Sequence, residues 1–119
     1  MEAVKDRIRE SAFRAFAQKG FKAVTMEQIS KELGISKKTL YNYFSSKEEL
    51  AEEFLKDFFQ RLREVSDRAA AEEEDPQKRL WIKLNTVKEE YLKINPLFFE
   101  DIQKYAPSVW ATYGRLRED

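Results

Sequence analysis

The stretch from Thr25 to Phe44, TMEQISKELGISKKTLYNYF, limits what this chain can fold into more than any other. Thr25 stands before a run in which Ile29 and Leu33 share one helical face. Gln28, three residues on, completes a capping-box pattern that gives the free N–H groups of a helix start their acceptors. Gly34 ends the run, Ile35 is an apolar residue in the turn, and Ser36 suits the N-cap of a second run. The spacing therefore predicts two short helices joined by a tight turn at LGIS.

In the second of these helices Leu40 and Phe44, four apart, define the buried face. Stepping 100° per residue from Leu40, the core direction lies at about 20°, and Lys38, Thr39 and Asn42 fall near 160°, 260° and 200°, pointing outward. Tyr41 and Tyr43 fall near 100° and 300°, one on each flank, while Lys37 falls nearer the inner side. Such a face suits a DNA major groove. Central polar groups reach base edges, Asn42 pairing with adenine, and flanking phenols and cations bond phosphates on the groove walls. Thr39, Lys47 and the tyrosines set position rather than sequence. A lone YNY would more simply be two half-buried aromatics; its register with the turn and the caps favours the DNA reading.

Charge supports this placement. Residues 1–47 hold ten Lys/Arg against five Asp/Glu, a net +5, so the remainder of a chain that is neutral overall carries −5. The N-terminal third is built to meet something anionic.

Elsewhere the pattern is helical throughout, and Gly and Pro number only three each. Val4, Ile8, Ala12 and Phe16 mark a first helix over about 3–19, ended at Gly20. Ser46 with Glu49 caps a long fourth helix in which Leu50, Phe54, Phe58, Leu62, Val65 and Ala69 keep one face apolar to about residue 71. The acidic run before Pro76 caps a fifth helix or is solvated. Leu80, Leu84, Val87, Tyr91 and Ile94 mark that helix, which ends at Asn95–Pro96. A sixth follows to Pro107, and a seventh runs from there to Asp119.

The chain contains no cysteine and no histidine. Thiolate and imidazole chemistry are thereby removed, and no paired-carboxylate site or glycine-rich phosphate loop can be placed, so neither an enzyme, a metal site nor a cofactor is expected. No apolar run is long enough to span a bilayer, and MEAVKDRIRE is charged rather than signal-like, so a cytoplasmic protein with no membrane partner is expected.

TMEQISKELGISKKTLYNYFSSKEEL closely resembles the helix-turn-helix signature of the tetracycline-repressor (TetR) family of bacterial transcription regulators, and RIRESAFRAFAQKGFKAV resembles that family's first helix. The resemblance implies an all-α chain. It would have a three-helix, homeodomain-like DNA-binding domain over residues 1–47, a long linking fourth helix, and part of a helical ligand-binding and dimerisation domain over 48–119. It also implies Thr25, Ser36, Lys37, Lys38, Thr39, Tyr41, Asn42, Tyr43 and Lys47 as contacts to double-stranded operator DNA. Ile8, Phe16, Phe21, Val24, Ile29, Leu33, Ile35, Leu40 and Phe44 would be the supporting core. Family members are close to twice this length and pair through two further C-terminal helices, so a homodimer is expected of the complete protein.

The later aromatics resemble material for a pocket holding a small apolar or amphipathic effector, with Tyr91, Phe98 and Trp110 the candidate contacts. Without further helices some of this surface would be exposed, favouring self-association. The competing reading is an α-helical protein-interaction module on the same scaffold that does not read DNA.

Overall fold

The computed structural model describes residues 2–118 and is helical throughout, with no strand among the described residues. The helices are α1 (Glu2–Lys19), α2 (Met26–Leu33), α3 (Lys37–Tyr43), α4 (Lys47–Ala70), α5 (Pro76–Tyr91), α6 (Leu97–Tyr105) and α7 (Pro107–Glu118). The expected continuation of α7 to Asp119 lies outside the described residues.

Local chemistry sets the boundaries. Gly20 and Gly34 take φ of +88° and +69°, conformations that cost any residue with a Cβ, and they end α1 and α2. Thr25 Oγ1 accepts from the Gln28 N–H at 3.1 Å, Ser36 Oγ from Thr39 at 3.0 Å and Ser46 Oγ from Glu49 at 3.1 Å. Asp75 caps α5 by accepting from the Gln77 N–H, with Pro76 in the first turn.

A single core serves both halves of the chain. Ile8 and Phe16 of α1, Leu40 and Phe44 around α3, Leu50 and Leu55 of α4, and Phe98 and Ile102 of α6 are all fully buried. The Phe98 ring sits 5.6 Å from that of Phe16 and 4.9 Å from that of Phe54, both in edge-on contacts. The expected supporting core is found as such, with Leu33 and Ile35 half-buried at its margin.

Three expectations need correction. On α4 the apolar stripe rotates near its end, so that Ser66 and Ala70 are buried while Val65 is half-buried and Ala69 exposed. α5 ends at Tyr91 rather than at Asn95, and turns over 92–95 carry the chain to α6. Leu80 and Leu84 are 58% and 59% exposed, beside a Trp81 that is 68% exposed. The buried side of α5 lies roughly a quarter turn away, because α4 meets the face that carries Thr86, Val87 and Glu90.

Glu90 is buried because it is paired. Lys93 donates to it at 2.7 Å, and Arg61 of α4 lies 3.3 Å away. The Lys93 hydrogen bond first, then the two positive charges, hold its carboxyl below the ordinary 4.5 against the opposing effect of burial. A carboxyl with a lowered folded-state pKa stabilises the fold above its unfolded pKa, and that stability is lost as pH falls through the folded value. Glu90→Gln is therefore expected to flatten the decline of Tm between about pH 5 and pH 3. An acid limb as steep as that of the parent would show that the pair does not couple to folding.

Candidate nucleic-acid interface

α3 has seven residues, and the rotation of this short helix is fixed by Leu40 and Phe44, both 0% exposed. With these two facing inward, Lys38 and Asn42 point directly away from the core and are exposed, as are Lys37 and Tyr41, while Thr39 and Tyr43 are half-buried. Lys37, which the helical wheel set nearer the core, is exposed because it opens the helix, where no neighbouring element covers it. The Ser36 hydroxyl donates to Thr39 Oγ1 at 2.9 Å, which leaves the Thr39 O–H free to donate outward. Thr25, also exposed, spends its oxygen on the α2 cap.

The ground behind this face is tied down by charge. The Phe44 ring lies 5.6 Å from Lys5 Nζ and 5.7 Å from the Arg9 guanidinium. Arg9 bonds Glu53 of α4 at 2.8 Å and Asp6 at 3.1 Å; the Glu53 bond is the main reason its pKa is raised. Glu49 accepts from both the N–H and the hydroxyl of Ser45, and that hydroxyl bond chiefly holds its carboxyl below the ordinary range. Lys5 thus adds a cation beside the end of α3. Nothing in the motif over residues 25–47 pointed to it, since only the packing of α1 brings it there.

Lys47 departs from the expectation of a phosphate contact. Its Nζ donates to the Phe21 carbonyl at 3.0 Å and lies 4.0 Å from the centroid of the Phe21 ring. Desolvation lowers its pKa from the ordinary 10.5, with the charges of Glu48 and Asp101 opposing. An amine that finds both a carbonyl and an aromatic face is held inward, so Lys47 joins the first residue of α4 to the turn between α1 and α2.

The three candidate effector contacts sit in one aromatic cluster, Tyr91 and Phe98 both packing on Phe99 and Trp110 joining through Tyr113. Phe98 is fully buried between Phe16 and Phe54, and so belongs to the core. Tyr91 Oη lies 3.2 Å from Tyr113 Oη, and burial, followed by that bond, pushes its phenol above the ordinary 10.0. Trp110 packs on Tyr113 with centroids 5.5 Å apart. A groove of about 190 Å³ lies elsewhere, between Phe54, Phe58, Arg61 and Glu90.

Residues 8–54 match the sequence profile of the bacterial regulatory proteins of the tetR family. The uncharacterized HTH-type transcriptional regulator YerO of Bacillus subtilis is 48% identical over 50 residues, which cover 42% of this chain and 17% of that protein. The HTH-type transcriptional repressor KstR2 of Mycolicibacterium smegmatis is 37% identical over 71 residues, covering 56% of this chain and 35% of the relative. Among solved structures, a putative transcriptional regulator from Saccharomonospora viridis in complex with choline superposes with a TM-score of 0.81 at 21% identity, over 99% of this chain and 64% of that one. The ketosteroid transcriptional regulator KstR2 of Mycobacterium tuberculosis gives a TM-score of 0.72 at 22% identity, over 99% and 62%. At these identities the superpositions establish the fold. The matched stretches span between 17% and 35% of the curated relatives described, and under two thirds of the two solved chains.

The inward Lys47 has a measurable consequence. Lys47→Met keeps an apolar stem but removes the donor, and is expected to lower stability by about 1–2 kcal/mol, as for a partly buried hydrogen bond from a charged group. Thermal or urea unfolding checks this, and an unchanged midpoint would return Lys47 to the solvent-facing set.

Proposed function

We propose that this chain, whose residues 8–54 match the tetR family of bacterial regulatory proteins, is a sequence-specific DNA-binding transcriptional regulator of that type, working in the cytoplasm as a ligand-responsive repressor. One observation carries the reading: Lys38 and Asn42 stand on the solvent side of a short helix whose opposite side is locked by Leu40 and Phe44, with Lys37 and Tyr41 also exposed. A rigid helix presenting two cations, a phenol and a carboxamide is what a major groove can accept. Asn42 reads a base edge. Lys37, Lys38, Thr39, Tyr41 and Tyr43 hold the phosphates on either side, with Ser36 and Thr25 at helix starts whose N–H groups favour anions. Lys5 extends the same positive surface.

The complete protein acts as a homodimer, since two copies of α3 double the contacts that one copy makes. Its effector is a small apolar or amphipathic molecule taken up among α4 to α7. The aromatic wall of Phe58, Tyr91, Phe99 and Tyr113 offers apolar faces with two phenol groups, and choline in the Saccharomonospora viridis regulator is consistent with a small ligand in a neighbour of this fold. Binding would shift the arrangement of α5 to α7 and alter the spacing of the paired reading helices.

The test is selection of bound duplexes from a randomised pool, followed by sequencing. Asn42→Ala is expected to relax preference at one base position, by about 1–3 kcal/mol of lost discrimination. Tyr43→Phe is expected to weaken binding to all sequences alike. An unaltered preference with Asn42→Ala would mean that the outward side of α3 is not the reading face.

A further inference from the structure

The turn between α1 and α2 is gripped from two sides. Asp101 Oδ2, on α6, accepts from the N–H groups of both Phe21 and Lys22, at 3.1 and 3.0 Å. Lys47 Nζ, at the start of α4, donates to the carbonyl of the same Phe21. Just ahead of the turn, the Asn95 backbone N–H donates to the Ala17 carbonyl at 2.7 Å and its side-chain amide to the Gln18 carbonyl at 2.9 Å, closing the end of α1. Lys22 Nζ reaches Tyr105 Oη at 3.3 Å and lies 4.6 Å from the centroid of its ring. The fit is close. A Cβ on Gly20 would stand 3.0 Å from Asp101 Oδ2 and 3.1 Å from Leu97 Cβ.

We propose that Asp101 is a positioning residue for DNA reading: its carboxylate holds the α1–α2 turn in register, so that a movement of α6 reaches the helix-turn-helix directly, without passing along α4. The inference rests on the reading of α3 as the DNA-reading helix. The chain of contact is short. Phe21 and Lys22 stand three to four residues ahead of Thr25, which caps α2, and α2 packs on α3. One oxygen serves two N–H groups, so a small displacement of α6 breaks both bonds together. Loss of that support also frees the peptide to which Lys47 is bonded.

The experiment compares Asp101→Ala with Asp101→Asn in this chain. An asparagine side-chain oxygen in the same position accepts both N–H bonds, whereas alanine accepts neither. By amide hydrogen exchange, Asp101→Ala is expected to speed exchange at Phe21 and Lys22 by about tenfold or more, and to speed exchange along α2 as well, while Phe58 to Leu62 of α4 stay as in the parent. At a temperature where all variants remain folded, Asp101→Ala should weaken duplex binding about tenfold, and Asp101→Asn should stay within about threefold of the parent.

Unchanged exchange at Phe21 and Lys22 would overturn the proposal. So would faster exchange confined to those two amides with α2 and DNA affinity unmoved, since Asp101 would then be a staple without influence on the reading head. Equal losses in both variants would contradict the hydrogen-bond account. If the parent binds no duplex, the spread of exchange from the turn into α2 alone decides whether Asp101 positions that helix.

Discussion

A helix of seven residues is too short to hold its shape in water, because the cost of its first turn is never recovered along its length. α3 exists because Leu40 and Phe44 are buried on the core and because Ser36 satisfies its first free N–H groups. Those same contacts set its rotation, and hence which side chains face solvent. The proposed reading surface is thus a by-product of burial on the other side. Any change that loosens Leu40 or Phe44 acts on Lys37, Lys38, Tyr41 and Asn42 without touching them.

That core does not stop at the helix-turn-helix. Phe16, on α1, contacts Phe21 in the turn, Phe54 on α4 and Phe98 on α6. Phe98 touches Phe99, which packs on Tyr91 and Tyr113. Ring contacts therefore run from the turn between α1 and α2 to the helices proposed to receive an effector, and close-packed interiors pass on displacement rather than absorb it. The polar ties at Asp101, Asn95 and Lys47 lie along the edge of this aromatic line.

Much of this was legible in the sequence, for reasons that are local. Thr25, Ser36 and Ser46 cap helices within three residues of themselves, Gly20 and Gly34 stand where the backbone turns left-handed, and Leu40 with Phe44 has helical spacing. What the sequence concealed depends on partners far along the chain. Lys47 is bonded 26 residues back, Asp101 reaches 80 residues and Asn95 reaches 77. Asn95–Pro96 could be recognised as a helix stop, but not as a cap on α1. On α5 the apolar period through Leu80 and Leu84 misled, because burial there follows Glu90, a charged residue made compatible with the interior by Lys93 and Arg61. Phe98 looked like pocket lining because aromatic side chains serve cores and pockets equally well, and spacing alone does not separate the two.

The central claim is that the outward side of α3 meets the DNA phosphate backbone. Fluorescence anisotropy of a labelled mixed-sequence duplex, titrated with this chain across a range of salt concentrations, tests it most directly. Affinity is predicted to fall steeply with salt, and the Lys37→Ala, Lys38→Ala double variant to lose about two units from the slope of log K against log salt, one for each phosphate contact. Binding that is indifferent to salt, or a slope that the double variant leaves unchanged, would contradict the account.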